Sequence, residues 1–259
     1  MNTKTNKPSR FSRAVFCVVR FFVRLFYGKV DIVGMENLPP EGAVIVANHT
    51  QMNGPIAGEL YMPPNCYIWC AGQMMHLREV PAYAFADFWS QKPKWTHPFY
   101  KLLSFLIAPL SSCIFNNART IAVYHDRRII STFRETVKKL ADGKNILIFP
   151  EKDEKYNNIL YAFQENFVDV ARLYAKKTGQ ALLFVPMYIA PTLRKMYIGK
   201  PVAFDSEADI SDERKRITAY LADEITAMAR ALPRHIVVPY RNIPKKHYLT
   251  NQDVTEVPR

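Results

Sequence analysis

The chain has 259 residues, which suit one α/β domain with additions or two small domains, and we expect one; 49% of the residues are hydrophobic, enough for a sizeable core. Its formal net charge of +12 predicts an acidic partner: anionic lipid, nucleic acid or an acidic carrier protein. We expect no nucleic acid partner, because charge is its only support and no recognisable motif accompanies it. The absence of a glycine-rich phosphate loop and of a Gly-x-Ser-x-Gly elbow argues against a nucleotide-binding protein and a serine hydrolase.

The cysteines show neither a Cys-x-x-Cys pair nor the spacing of a metal site; they are Cys17, Cys66, Cys70 and Cys113. Cys66 and Cys70 lie in a strand-like run, which favours buried thiols. We therefore expect no metal and a reducing, cytoplasmic compartment.

After a polar tail at residues 1–8, residues 11–27 form an apolar stretch that is interrupted by arginines and is too short to span a membrane. On a helix, Arg10, Arg13, Arg20 and Arg24 fall within an arc roughly 80° wide, and phenylalanine, valine and leucine cover the rest. This pattern is typical of a basic amphipathic helix lying in an anionic membrane interface. The alternative is a helix that caps the protein's own core.

Strand patterns then alternate with helical ones, which predicts a mostly parallel sheet covered on both faces. The predicted strands are 30–34, 43–47, 67–72, 121–124, 145–149, 181–185 and an edge strand at 196–202. The predicted helices are 56–61, 99–110, 129–140, one ending at Gly179, and one that Ser211 caps. Residues 74–95 are aromatic and proline-containing, and read as irregular structure that lines an acyl tunnel, dips into the membrane or belongs to the core.

Polar residues follow three of these strands directly, as Asn48–His49, His125–Asp126 and Pro150–Glu151–Lys152. Ligands of open α/β sheets gather outside the carboxyl ends of the strands. A histidine at such a position is a candidate general base, since its ordinary pKa lies near neutrality. His49 is therefore the leading candidate for chemistry.

These clusters resemble the motifs of the glycerophospholipid acyltransferases, in particular the lysophosphatidate (1-acylglycerol-3-phosphate) acyltransferase type. The resemblance covers roughly residues 30 to 230. It is carried by Asn48–His49, Ile146–Glu151, Val185–Pro186 and Ile198–Pro201, in this order along the chain.

The resemblance implies an O-acyltransferase that moves a fatty acyl group from acyl-CoA or acyl-carrier protein to a lysophospholipid or glycerol-phosphate hydroxyl. The donor is a co-substrate, and no cofactor is implied. His49 would be the base, with Glu151 as a second catalytic residue. The substrate-binding residues would be Asn48, Phe149, Pro150 and His125, which stands at the position of the family's phosphate-binding arginine. Candidate replacements for that arginine are Arg127, Arg128 and Lys152.

Three positions depart from the family's motifs: Gly54 stands where the family has the aspartate that orients the histidine, His125 where it has an arginine, and Lys152 where it has a glycine. In a serine-protease triad, loss of the orienting carboxylate costs about 10⁴-fold in rate. Candidate replacements for the orienter are Asn53, Glu59 and Asp126. Gly54→Asp would restore the family's carboxylate.

We therefore expect an α/β protein of the glycerol-3-phosphate acyltransferase type with an N-terminal amphipathic membrane helix. Its segments would be an N-terminal region (1–28), an acyltransferase-like domain (29–232) and a basic C-terminal tail (233–259). It would act in phospholipid biosynthesis as a peripheral protein on the cytoplasmic face of the cell membrane. The alternative is a catalytically weak or inactive acyltransferase-like protein that binds membrane lipid or a partner.

Overall fold

The computed structural model describes residues 8–152, 159–240 and 243–253. The chain forms two compact units: unit 1 contains residues 1–28 and 69–132, and unit 2 contains residues 29–68 and 133–259. These units cross the predicted segment boundaries, because the N-terminal helix groups with residues 69–132. The predicted polar tail lies outside the described residues, apart from Pro8.

The helices and strands follow one another much as the periodicity of the sequence predicts. The helices are α1 (Arg10–Tyr27), α2 (Asn53–Tyr61), α3 (Val80–Ala84), α4 (His97–Asn117), α5 (Ile129–Ala141), α6 (Asp169–Thr178) and α7 (Ile210–Ala231). The strands are β1 (Asp31–Val33), β2 (Val44–Ala47), β3 (Cys66–Ala71), β4 (Thr120–Val123), β5 (Asn145–Ile148), β6 (Leu183–Ala190), β7 (Lys195–Ile198) and β8 (Val202–Ala203).

The sheet of unit 2 is mostly parallel and is flanked by helices, with strand order β1-β7-β6-β2-β5-β3 and β8 also paired to β6. The strand β2 lies between β5 and β6 and runs parallel to both, with Ile45 level with Leu147 on one side and Val185 on the other. Every residue of β2 is buried, which explains its apolar run without polar alternation. Since β2 and β5 are parallel, the residues that follow them emerge at the same edge of the sheet.

Two strand predictions are wrong. The strand β6 does not end at Val185 but continues to Ala190, and β7 is not an edge strand, because it lies between β6 and β1. The second half of β6 pairs antiparallel with β7, with Met187 level with Ile198. Pro186 is tolerated inside this pairing because its carbonyl still accepts a hydrogen bond from the Gly199 amide, at 2.9 Å.

The long helix α7 packs its predicted apolar face, which includes Ile217, Leu221 and Ile225, into the core of unit 2. Its N-cap is Asp209 and not the predicted Ser211: the Asp209 carboxylate accepts a hydrogen bond from the Ser211 amide at 2.7 Å. A carboxylate at this end also suits the positive pole of the helix dipole.

In unit 1, the segment predicted to be irregular is largely helical. It contains a 3-10 turn (Gly72–Met75), α3 and a π-helical turn (Phe85–Trp89). A small core holds these turns against α4, and it consists of Met74, Val80, Ala84 and Ala108. Part of the aromatic segment is therefore ordinary core, which was one of the alternatives that the sequence left open.

The helix α1 packs against α4 within unit 1. The Ser12 hydroxyl lies 3.3 Å from the Cys113 thiol, and the Asn117 side-chain amide donates a hydrogen bond to the Ser12 hydroxyl at 2.6 Å. The side chains of α1 that face this contact are half-buried, and none of its residues is fully buried.

Candidate functional site

The loop that joins β2 to α2 has a strained backbone. Thr50 and Gln51 both adopt positive φ, at 48° and 55°. This left-handed conformation is uncommon for any residue except glycine, and for a β-branched threonine it is a genuine outlier. Such strain persists only where the surrounding structure fixes it, and it concentrates at functional sites. The loop that carries His49 is therefore a candidate site on backbone geometry alone.

Buried hydrogen bonds fix this loop from several sides. The Asn48 side chain accepts from the Ile189 amide at 2.7 Å and donates to the Ile189 carbonyl at 3.0 Å, which ties the end of β2 to β6. The Asn53 side chain donates to the Thr50 carbonyl at 3.0 Å. The Gln51 side chain donates to the Tyr248 hydroxyl at 2.9 Å.

Glu151 holds the loop from the neighbouring strand end. It follows β5, is almost fully buried, and accepts a hydrogen bond from the backbone amide of His49 at 3.0 Å. Burial raises its pKa to about 7, although the hydrogen bond from His49 acts in the opposite direction. A buried carboxyl group whose ionisation is disfavoured is thus hydrogen-bonded to the backbone of the candidate base.

The imidazole of His49 lies between two aromatic rings. Its centroid is 5.4 Å from that of Phe149 and 4.7 Å from that of Tyr240, both in edge-on geometry. This apolar cover lowers the pKa of His49 to about 4, and the backbone of Gln51 offsets the effect only in part. His49 is therefore neutral at physiological pH, as a general base must be before it accepts a proton.

Two polar atoms of the loop are sealed from solvent and lack a hydrogen-bond partner among the described residues: Nδ1 of His49 and the hydroxyl of Thr50. Unsatisfied buried polar atoms are rare in folded proteins and call for a structural or catalytic explanation. In the acyltransferase motif that this sequence resembles, an aspartate would orient the histidine. Here the nitrogen Nδ1 has no carboxylate beside it in the described part of the chain.

The geometry at Gly54 explains why this position has no aspartate. A Cβ added to Gly54 would lie 2.5 Å from the His49 carbonyl oxygen and 2.8 Å from the Phe149 ring. Contacts this short would displace the backbone of the loop or the ring beside the imidazole. Gly54→Asp therefore cannot restore the family's arrangement without moving the residue that it should orient.

The structure gives the other candidate orienters different partners. The Asn53 side chain donates its hydrogen bond to the Thr50 carbonyl, as described above. Glu59 is half-buried on α2 and has partners of its own. Asp126, in unit 1, is exposed and accepts hydrogen bonds from the Arg128 guanidinium at 2.8–3.1 Å. Their role as orienters remains a prediction.

The predicted acceptor-binding cations divide between the two units. In unit 1, His125 and Arg127 are exposed at the end of β4, whereas Arg128 pairs with Asp126 and Glu79 and lies 3.9 Å from the Tyr124 ring centroid. Two carboxylates therefore already balance its charge.

In unit 2, Lys152 is exposed, and its amide donates to the Ala162 carbonyl at 2.8 Å. The Pro150 carbonyl accepts from the Gln164 amide at 2.7 Å. Both contacts are made by the backbone, and they fix the chain on either side of Glu151.

Sequence reasoning missed the contribution of the C-terminal segment, which it treated as a basic tail. Residues 235–253, where described, fold back onto unit 2. The Val237 amide donates to the Leu249 carbonyl at 2.9 Å, and the Asn251 side chain donates to the Ala229 carbonyl at 2.8 Å. This segment supplies Tyr240 to the His49 ring and Tyr248 to Gln51. The only signal in the sequence was the presence of tyrosines in a stretch that is otherwise basic.

A buried histidine anchors the same segment. Nε2 of His235 lies 2.8 Å from the Tyr188 hydroxyl, and its Nδ1 lies 2.8 Å from the Pro233 carbonyl. Burial raises the pKa of Tyr188, and so does the nearby charge of Glu151. The polar interior of unit 2 thus extends from the C-terminal segment toward Glu151 and the His49 loop.

No group of three or more histidine, cysteine, aspartate or glutamate side chains in the described ranges has the arrangement of a metal site. No protein-family profile matches the sequence, and no curated protein sequence matches it. Among solved structures, the chain is similar to the 1-acyl-sn-glycerophosphate (LPA) acyltransferase PlsC from Thermotoga maritima. The identity is 15% and the TM-score 0.42, over 85% of this chain and 79% of that one. A likeness of this size carries no argument about the reaction.

Proposed function

We propose that the protein is an O-acyltransferase that moves a fatty acyl group from a thioester donor, acyl-CoA or acyl-carrier protein, to the hydroxyl of a lysophospholipid or glycerol-phosphate acceptor. The observation that carries the proposal is the placement of His49. It stands at the carboxyl end of the central parallel strand, in a strained loop, with its amide bound to the buried Glu151. The resemblance of the sequence to acyltransferase motifs supports the type of reaction proposed.

In this mechanism the neutral imidazole of His49 accepts the proton of the acceptor hydroxyl as the oxygen attacks the thioester carbonyl. The carbon–oxygen bond forms, the tetrahedral intermediate collapses, and the carbon–sulfur bond breaks. The thiolate leaves with the proton that His49 had accepted, so that the histidine returns to its neutral state. No cofactor takes part.

Glu151 acts on this reaction through the backbone. Its carboxyl group accepts a hydrogen bond from the His49 amide at 3.0 Å, so it fixes the loop and not the ring itself. We infer that it is a positioning residue. Phe149 and Tyr240 hold the ring from its sides, and Asn48 anchors the strand end below it.

A second candidate function is a lipid-binding protein with little or no turnover. The low pKa of His49, about 4, makes the imidazole a weak base. Its Nδ1 has no carboxylate partner within the described residues, and Gly54 leaves no room for one. Arg128, the predicted phosphate ligand, is already paired with two carboxylates. These observations favour slow chemistry or none.

We further propose an anionic acceptor and a peripheral location on the cytoplasmic face of an anionic membrane. Two separate groups of cations are candidate phosphate ligands and support the first part: His125, Arg127 and Arg128 in unit 1, and Lys152 in unit 2. The basic helix α1 supports the second, together with the net charge of +12.

The decisive experiment measures thiol release from acyl-CoA and from acyl-carrier protein in the presence of lysophosphatidate. His49→Ala should lower kcat by at least about 10²-fold, the usual contribution of a positioned general base. His97→Ala is the matched control, since this half-buried histidine lies outside the loop, and it should leave kcat unchanged. A His49→Ala protein as active as the wild type would contradict the mechanism. A wild type that is inactive with both donors would favour the lipid-binding alternative.

A further inference from the structure

The helix α4 has its large apolar side chains on the outside. Its fully buried residues are small or polar, namely Ser104, Ala108 and Ser111. The opposite face is exposed and apolar, with relative exposures of 45–68%; it consists of Phe99, Leu102, Phe105, Leu106 and Leu110. A helix on the surface of a water-soluble domain shows the reverse distribution. A contiguous apolar stripe of this kind marks a surface that another phase or molecule covers.

The buried side of α4 is hydrogen-bonded to unit 1 itself. The Ser111 hydroxyl donates to the Met74 carbonyl at 3.2 Å, and the Ser112 hydroxyl donates to the Met75 carbonyl at 2.9 Å. The Asn116 side chain donates to the same Met75 carbonyl at 2.8 Å. Along its C-terminal half, one face of the helix is therefore packed against the rest of unit 1.

By length and composition, residues 94–117 could cross a membrane; this is the one such helix in the described part of the chain, and 17% of its apolar window is buried. The geometry of unit 1 argues against crossing. A spanning helix would carry Ser111, Ser112 and their backbone partners at Met74 and Met75 into the hydrocarbon. A helix that lies in the plane of the interface keeps these groups in the protein and buries only the apolar stripe.

The helix α1, which packs on α4 through Ser12, also presents apolar side chains to the outside. Its exposed large apolar residues occupy one arc of the helix: Phe11, Val18, Phe21, Phe22, Leu25 and Phe26. The adjoining arc carries Arg10, Arg13 and Arg24, all exposed. Apolar side chains bordered by arginines match a bilayer with anionic headgroups, in both hydrophobicity and charge.

The start of α4 has the composition of a membrane interface. Trp95 is 84% exposed, and Lys92 and Lys94 beside it are also exposed. Tryptophan is favoured at the headgroup level, where its ring is half in the apolar region, and lysine extends its charge toward the headgroups. A protein partner would have to bury these lysines and arginines against a matching acidic surface, whereas anionic lipid supplies that charge everywhere.

We propose that α4 is a membrane-binding element of this protein: together with α1, it inserts its apolar stripe into one leaflet of an anionic phospholipid bilayer and lies in the plane of the interface without crossing. This deepens the membrane association proposed above, since it assigns a second membrane-binding apolar surface to α4. It does not require that the protein be an active enzyme.

The first test measures binding of the full-length protein to vesicles of phosphatidylcholine with phosphatidylglycerol. Leu102→Glu combined with Leu106→Glu should weaken binding about tenfold or more, because two apolar side chains no longer enter the acyl region. Leu173→Glu is the matched control: this residue is 44% exposed on α6, in unit 2, and binding should not change. Far-ultraviolet circular dichroism checks that the variants remain folded, as expected for changes at exposed positions.

The second test measures depth. A fluorescent label is placed on a cysteine introduced at Phe99, Leu106 or Leu110, in a Cys17→Ser background because Cys17 is exposed. In-plane insertion predicts that lipid-borne quenchers give similar, shallow depths at all three positions. A label at Leu106 near the bilayer centre, with the label at Phe99 about 10 Å shallower, as the rise of a helix along the bilayer normal requires, would indicate a spanning helix and overturn the proposal.

Other outcomes also decide against it. The proposal is contradicted if the wild-type protein does not bind vesicles. It is also contradicted if the double variant binds them as well as the wild type does. If the double variant instead dissociated a dimer and left vesicle binding unchanged, a second copy of the chain would be the occupant of this surface. Thiol release with a soluble short-chain donor and acceptor is measured separately, so that loss of membrane binding is not confused with loss of catalysis.

Discussion

The backbone amide of His49 donates a hydrogen bond to the carboxyl group of Glu151 at 3.0 Å, and burial displaces the pKa values of these two side chains in opposite directions. Burial lowers the pKa of His49 to about 4 and raises that of Glu151 to about 7. The folded protein therefore disfavours the charged form of both groups. Their contributions to stability must depend on pH in opposite senses.

The direction follows from proton binding. Between its folded pKa of about 4 and its ordinary value of 6.5, His49 binds fewer protons in the folded than in the unfolded chain, so stability rises with pH. Glu151, with a folded pKa of about 7 against an ordinary 4.5, binds more protons when folded, so stability falls as pH rises across that interval. Where the intervals overlap, the two contributions oppose each other.

Single substitutions should separate these contributions. Glu151→Gln removes the contribution that falls with pH, so the free energy of unfolding should rise between about pH 4 and 6.5. His49→Gln removes the contribution that rises with pH, so the free energy of unfolding should fall between about pH 4.5 and 7. For Glu151 the interval corresponds to at most about 3 kcal/mol. Urea unfolding between pH 4 and 8 measures both, with the exposed Glu41→Gln as control. Identical pH profiles in the two variants would refute this account.

Asn48 should be a main determinant of stability at the strand end. Asn48→Ala leaves the Ile189 amide and carbonyl without their buried partner, at a cost of about 1–3 kcal/mol for each group. Asn37→Ala is the matched control, because Asn37 is half-buried and donates a single hydrogen bond, to the Ile198 carbonyl at 2.8 Å. We expect a clearly larger loss for Asn48→Ala in urea unfolding. Equal losses would contradict the anchoring role of Asn48.

Gly54 should not tolerate a side chain. Gly54→Ala should lower the free energy of unfolding by about 1–3 kcal/mol, because the methyl group meets the His49 carbonyl and the Phe149 ring. Gly54→Asp should be worse and should not raise kcat. Gly143→Ala serves as control: nothing lies within 4 Å of the added methyl group, and its cost comes only from a φ of +68°, about 1–2 kcal/mol. The two glycines also differ in catalysis, since only Gly54→Ala should change the thiol-release rate.

Tyr240 should control the proton affinity of His49. Tyr240→Ala removes one of the two rings that cover the imidazole, so the pKa of His49 should rise from about 4 toward its ordinary value of 6.5. Tyr248→Phe keeps an aromatic ring, loses only the hydrogen bond to Gln51, and should shift the pKa much less. An NMR titration of the histidine ring protons reads both values. An unchanged pKa in Tyr240→Ala would show that the tyrosine does not cover the ring.

Local patterns in the sequence were sufficient for the strands and helices that bury one continuous run or one face. The apolar run of β2 and the helical spacing of apolar residues in α7 indicate which residues are buried. Both elements were therefore predicted close to their observed limits. The polar residues after β2 and β5 were also predicted to meet, because parallel strands end at the same edge. His49 and Glu151 do meet, through a hydrogen bond that could not be predicted from the sequence.

The sequence could not predict which residues from distant parts of the chain complete the site. Positions far apart in the chain are joined by the contact of the Tyr240 ring with His49, by the hydrogen bond from Gln51 to the Tyr248 hydroxyl, and by the two hydrogen bonds between Asn48 and Ile189. Local periodicity carries no record of such contacts. The pKa values of His49 and Glu151 depend on burial by these same contacts, so they too are set by the tertiary structure.

The sequence by itself determined the apolar character of α4 and the basic amphipathic character of α1, because both are properties of residue type and helical spacing. Only the tertiary structure decided which face of each helix points outward. Buried serines in α4 bind carbonyls of unit 1, and this turns the phenylalanines and leucines toward the outside. The exclusion of a side chain at Gly54 was decided in the same way, by the approach of α2 to the His49 carbonyl oxygen. In both cases the deciding quantity is a distance between atoms that folding brings together.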